Sequence, residues 1–188
     1  MTILNAGDLR AIMRTEFYSF MVRCFAELDG GAAFLPNWHI ELLAAKLQAA
    51  YEGKIRRLII NIPPRHLKSL AASTALPAWW LGHAPGAAII CATYAQDLSD
   101  KFARDCRAAM QSSWYQATFP TRLTTQRAAL QELVTTKGGF RLATSVGGVL
   151  TGRGADVIII VAAYEGRLDL SPDRQSACGA VPARPYQD

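Results

Sequence analysis

The amino-acid sequence predicts an α/β fold with a mostly parallel sheet and helices on both faces. Three short apolar runs, at residues 58–62, 87–93 and 156–161, have the composition of buried strands, and helical segments separate them. Strands that alternate with helices favour parallel pairing, and the loops after their carboxyl ends then share one edge. We therefore expect functional residues at that edge.

Length and composition indicate one globular domain. The chain has 188 residues, of which 51% are hydrophobic and 19% charged. No apolar stretch is long enough for a membrane helix, and the first residues lack a signal pattern, so we expect a cytoplasmic protein. The net charge of +5 is compatible with a polyanionic partner but does not establish one. Four scattered cysteines favour buried thiols over a zinc site or a disulfide framework.

We predict three regions along the chain. Residues 1–35 are expected to form a helical segment, because apolar residues recur at helical spacing from Asp8 to Leu28. Residues 36–160 are expected to contain the sheet. Residues 161–188 have little apolar periodicity and several prolines, which predicts a disordered tail.

Each predicted element of the central region has its own signal. Asn37 is placed to cap a helix that ends at Gly53, and Pro63-Pro64 ends the strand over 58–62. The next helix runs to about Leu81, with Pro77 kinking or dividing it. The remaining predicted elements are a strand over 87–93, an amphipathic helix over 96–111, a hairpin over 131–145 and a strand over 156–161.

Residues 61–69 form a candidate phosphate loop. The segment follows a predicted strand and opens a helix with Lys68-Ser69, where backbone N–H groups would point at phosphate. The lysine would neutralise phosphate charge and the serine hydroxyl would hold Mg²⁺. Ile62 and Leu67, however, occupy the two glycine positions of the standard pattern. From the pattern alone, an ordinary strand-to-helix turn with a surface lysine remains an alternative.

The segment Pro63-Pro64-Arg65-His66-Leu67-Lys68-Ser69 resembles the deviant Walker A motif of phage DNA-packaging terminase large subunits. Further similarity extends in family order over about residues 36–160. It includes the segments 36–39, 57–64, 93–98, 104–107, 113–115, 119–120, 144–148 and 152–156. The resemblance implies an incomplete sheet of the P-loop NTPase (ASCE-like) type with flanking helices.

The resemblance also implies ligands and partners. ATP and Mg²⁺ would be the cofactors, with Lys68 and Ser69 in the Walker A roles and His66 and Leu67 beside them. Arg65 would contact phosphate and couple nucleotide state to movement. The family's partners are double-stranded DNA, the portal and the small terminase subunit, and its motors assemble as rings in the bacterial host cytoplasm.

Three further residues are candidate site residues. Trp38 and His39 lie where the family recognises adenine, although His39 could equally be an ordinary residue near a helix cap. Arg153, in a glycine-rich loop, could act as a finger to a neighbouring subunit's ATP or as a DNA contact. A solvated loop arginine is the alternative.

The sequence departs from the family after the third predicted strand. Val161 and Ala162 stand where two acidic residues are expected, and neither side chain binds metal or accepts a proton. Asp156 lies at the other end of that strand, about 16 Å away. We therefore expect weak or no ATP hydrolysis. The abrupt loss of similarity also suggests a truncated or frameshifted prophage gene. An inactive prophage remnant with only structural or nucleotide-binding capacity and a helicase-like P-loop ATPase remain alternative functions.

Overall fold

The computed structural model describes residues 5–30, 32–124, 130–145 and 153–161. The described part is an α/β fold with a four-stranded mixed sheet and flanking helices. The helices are α1 (Ala6–Thr15), α2 (Phe17–Leu28), α3 (Trp38–Tyr51), α4 (Leu76–His83), α5 (Gln96–Gln111) and α6 (Ser113–Thr118); residues Leu70–Ala75 form a π-helix, here called the π-segment. The strands are β1 (Ala88–Thr93), β2 (Glu132–Val134), β3 (Phe140–Ser145) and β4 (Val157–Val161).

The strands lie in the order β2-β3-β1-β4. Strand β1 pairs in parallel with both β3 and β4, whereas β2 pairs antiparallel with β3. The expected hairpin is thus confirmed, and the sheet is parallel only in part. Thr93 aligns with Ser145 on one side and with Val161 on the other, so the three parallel strands end at a common edge.

The predicted N-terminal helix is two helices. Asn5 and Asp8 form a reciprocal capping box at the start of α1. Glu16 then takes an extended conformation (φ −127°, ψ 110°), which ends α1 and begins α2. The break lets α1 reach α4, where the Trp79 indole N–H donates to the Met13 carbonyl at 3.0 Å.

Aromatic side chains occupy much of the core between the helices. Phe17 packs against Trp79 with ring centroids 5.5 Å apart, and the buried Tyr115 hydroxyl donates to the Ala78 carbonyl at 2.8 Å. Trp79 is therefore a core residue. The thiols of Cys24, Cys91 and Cys106 are free and buried, which confirms that interpretation for the described cysteines.

The prediction of a strand over residues 58–62 is wrong. This segment packs Leu58, Ile60 and Ile62 against the core and exposes Ile59, which gives it the alternation of a strand. No strand of the described chain pairs with it, however, and β4 has a neighbour only on its β1 side. A strand exists only where a partner supplies the ladder hydrogen bonds, and local composition cannot supply that partner.

The predicted disordered tail lies outside the described residues. Among the described residues, no helix is long and apolar enough to span a membrane.

Candidate phosphate-binding loop

The loop between residue 62 and the π-segment has an unusual backbone. Arg65 (φ 66°) and Leu67 (φ 57°) both adopt left-handed conformations, the only non-glycine residues to do so in the described part of the chain. Such conformations cost a non-glycine residue free energy. In return, successive backbone N–H groups can point into one concavity that binds an anion. Leu67, which stands at a glycine position of the standard pattern, therefore has a backbone conformation that glycine adopts without strain.

The loop lines a cleft of about 220 Å³ at the start of the helical segment. Its lining residues are Pro63, Pro64, Arg65, Leu67, Lys68, Ser69 and Leu70. The cationic side chains in this lining are Arg65 and Lys68, and no carboxylate is among its residues. The first turn of a helix also has N–H groups without intrahelical acceptors. The cleft thus combines positive charge with free donors, as an anion site requires.

Lys68 is only weakly engaged. Its ammonium group donates to the Ile62 carbonyl at 3.5 Å, a long hydrogen bond, and it takes part in no ion pair of the described residues. The side chain is half-buried along its length. An incoming phosphate could therefore bind this ammonium group without breaking an existing salt bridge.

Two histidines meet beside the loop. The His39 and His66 rings lie 4.9 Å apart between centroids, and His66 Nδ1 is 2.8 Å from the Pro64 carbonyl oxygen. Because that oxygen only accepts, Nδ1 carries the proton of the bond. Trp38 packs edge-on against His39, with 72% of its surface exposed. The first turn of α3 thus brings an aromatic surface to the phosphate loop.

The carboxyl edge of the sheet carries no acid at the position expected for a Walker B residue. Val161 ends β4 beside Thr93 and is buried. Asp156 is at the opposite end, where its carboxylate accepts the Ala88 N–H at 2.8 Å and fixes the start of β1. Among the residues that the structure describes, no group of three or more His, Cys, Asp or Glu side chains could hold a metal ion. Ala162 lies outside the described residues.

Arg153 is not brought to the phosphate loop by any contact among the described residues. Its guanidinium forms an ion pair with Glu132 of β2 at 2.6 Å, just before β4 begins. This is an intramolecular contact at a partly exposed position. The role of Arg153 as a finger to another subunit stays a prediction.

Sequence reasoning missed a buried charge beside the π-segment. Arg141 of β3 has no exposed surface and donates to the Ser73 carbonyl in the π-segment at 3.1 Å. An arginine within the apolar run Phe140-Arg141-Leu142-Ala143 was the available signal, since a charged residue at an inward position of a strand calls for an explanation.

Comparisons with protein-family models, with curated proteins and with solved structures found no significant match to this chain.

Proposed function

We propose that this chain is the ATP-binding part of a viral DNA-packaging motor, similar to the ATPase domain of a terminase large subunit and deficient in hydrolysis. One observation carries the proposal: Leu67, at a glycine position of the Walker A pattern, has the left-handed backbone that a phosphate loop needs. An ordinary turn would have no reason to hold a bulky residue in that conformation beside a lysine and a helix start.

The residues of the cleft fit a triphosphate. Lys68 would neutralise phosphate charge, and the backbone N–H groups around Leu67 would donate to phosphate oxygens. Arg65 is exposed at the mouth of the cleft and would contact the terminal phosphate. His39 would pack against the base, since its ring contacts His66 of the loop, and Trp38 would extend this surface, since its ring contacts His39.

The residues fit Mg²⁺ only in part. The Ser69 hydroxyl would be one oxygen ligand, and bound Mg²⁺ would help to neutralise the phosphates. A second ligand of the kind that P-loop ATPases use is missing from the end of β4, because Val161 offers no oxygen from its side chain. Val161 also cannot orient a water molecule, and no carboxylate of the described residues stands in its place. We therefore propose that the chain binds ATP and hydrolyses little of it.

Titration of the purified chain with a fluorescent ATP analogue tests the proposal, with Lys68→Ala as the key variant. We expect the wild-type chain to bind and K68A to lose at least about tenfold in affinity, because a charge-assisted hydrogen bond contributes roughly 1.5–3 kcal/mol. Lys137→Ala is the matched control: Lys137 is exposed in the β2–β3 turn, at the far end of β3, and its removal changes net charge equally. Equal affinities for K68A and wild type would refute the proposal.

A helicase-like ATPase and an inactive remnant are the competing functions. A packaging role predicts that double-stranded DNA ends, the portal or the small terminase subunit change nucleotide affinity, and that the chain acts in the bacterial host cytoplasm. A helicase role predicts a response to single-stranded DNA. A remnant with only structural or nucleotide-binding capacity would show no change of nucleotide affinity with any of them, so nucleotide titrations with each partner present separate the three.

A further inference from the structure

The buried position of the charged Arg141 side chain costs this fold free energy. Its side chain is completely buried, and no ion pair of the described residues includes it. Its Nε and Nη1 atoms have no hydrogen-bond partner among the described residues. The Cys91 thiol lies within hydrogen-bonding reach of the Arg141 side chain. Burial nevertheless raises the pKa of this thiol more than the guanidinium lowers it, so Cys91 stays neutral and supplies no countercharge. A buried charge without a countercharge is costly, so stability alone does not account for an arginine here.

The hydrogen bond from Arg141 goes to a carbonyl that a regular α-helix could not satisfy. Arg141 donates to the Ser73 carbonyl at 3.1 Å. In a regular α-helix that carbonyl would accept from the residue four positions later, which is Pro77, and proline has no N–H. A proline ring also clashes with that same carbonyl in an α-helix. Arg141 thus supplies the donor that Pro77 lacks.

The bonded carbonyl lies inside the π-segment. Here the Leu76 N–H donates to the Ala71 carbonyl five residues back, where an α-helix would bond four residues back. The Ser73 and Thr74 hydroxyl groups of the same segment are also buried without partners among the described residues. Several unsatisfied polar atoms are therefore concentrated where the helix departs from α geometry. π-Helical turns of this kind occur frequently at functional sites.

We propose that Arg141 is a positioning residue that holds the register of the π-segment and, through it, the placement of Lys68 and Ser69. The inference rests on the proposed function for its consequence. One residue of helical register corresponds to a rotation of about 100° and a rise of about 1.5 Å. A change of the π-segment to α register, with a kink at Pro77 that relieves the clash with the Ser73 carbonyl, would therefore turn the Lys68-Ser69 end of the helix relative to α4.

Substitution of Arg141 by methionine separates positioning from structural support. Methionine fills a similar volume without charge, so R141M should melt at the wild-type temperature or higher. Hydrogen exchange over residues 70–76, measured without nucleotide, should be at least about tenfold faster because the register is no longer held. Affinity for the ATP analogue should fall by about tenfold or more, because small displacements of binding groups are costly.

Two further variants make the comparison specific. Leu133→Met changes a fully buried side chain that pairs with Arg141 across β2 and β3, and it should alter neither exchange nor affinity. Arg141→Lys keeps a donor for the Ser73 carbonyl and should restore part of the slow hydrogen exchange and part of the nucleotide affinity. This variant also keeps the inference testable if R141M folds poorly. A spread of faster exchange to α5 as well would mean a purely structural role and would overturn the inference.

The outcomes also separate this inference from the proposed function. Unchanged exchange over residues 70–76 in R141M would overturn the inference, whatever the nucleotide data show. Wild-type-like affinity in R141M would overturn the positioning role in the same way. If the wild-type chain bound no analogue, the proposed function would fail, and the exchange comparison would still decide for or against Arg141.

Discussion

The left-handed backbone at Leu67 predicts an unusual response to substitution. We compare Leu67→Gly with Leu67→Ala, because both variants remove the partly buried side chain and differ only in backbone preference. At ordinary helical positions alanine is more stable than glycine by about 1 kcal/mol. At residue 67 the order should reverse, with L67G more stable than L67A.

The expected magnitude follows from two opposing effects. A left-handed conformation costs a residue with a Cβ about 1–2 kcal/mol, and glycine avoids this cost. Glycine loses more conformational entropy on folding, by about 0.5–1 kcal/mol. Because the backbone strain outweighs the entropy loss, the free energy of unfolding of L67G should exceed that of L67A by up to about 1.5 kcal/mol. Each kcal/mol corresponds to roughly 2–4 °C in melting temperature for a chain of this size.

Thermal and urea unfolding of four proteins provides the assay. Ala108, exposed within α5, supplies the reference pair, and A108G should melt below the wild-type chain. L67G should also keep its affinity for the ATP analogue, because the loop N–H groups keep their orientation. If L67G melted below L67A by as much as A108G melts below wild type, the left-handed loop and the phosphate site built on it would be refuted.

Three other predictions follow from the same structure. Phosphate release with Mg²⁺ and DNA should be close to background, because Val161 cannot orient water and such activation supplies about 10²–10⁴-fold in rate; turnover near about 1 s⁻¹ would contradict this. Burial raises the pKa of the Cys106 thiol from 9.0 to about 12, so the unfolded chain releases a proton that the folded chain keeps. The contribution of this thiol to the free energy of unfolding is therefore fully present below pH 9. It should fall as the pH rises towards 12, by at most about 1.4 kcal/mol per pH unit. Urea midpoints measured under reducing conditions should show this fall, with a shallower slope in C106A; equal slopes would exclude the thiol as the cause. Ile158 and Ile160 are 47% and 60% exposed on β4, so the chain should self-associate at micromolar to millimolar concentration, and Ile160→Lys should reduce light scattering without loss of the fold. Unchanged scattering in I160K would show that β4 is not the associating surface.

Elements with strong local signals were predicted well. Helix α5 begins and ends at the residues that its amphipathic pattern indicated, and β1 and β4 lie within the predicted apolar runs. The lysine and serine at the start of a helix were also recognised as a candidate site. These features depend on neighbouring residues and on periodicity, which a single sequence contains.

Features that depend on distant residues were not predicted. The apolar alternation over residues 58–62 resembled a strand, but no strand of the described chain lies beside it. The pairing of His39 with His66 and the bond from Arg141 to the Ser73 carbonyl join residues far apart in the chain. Spacing within one element contains no information about such contacts.

The amino-acid sequence by itself determined the α/β class, most of the helix and strand positions, and the candidate residues Arg65 to Ser69, because each follows from local composition and order. Only the tertiary structure decided which strands pair, that Leu67 has a left-handed backbone, and that Arg141 reaches the carbonyl opposite Pro77. The physical reason is that backbone strain and buried charge persist only where packing from the rest of the chain holds them in place.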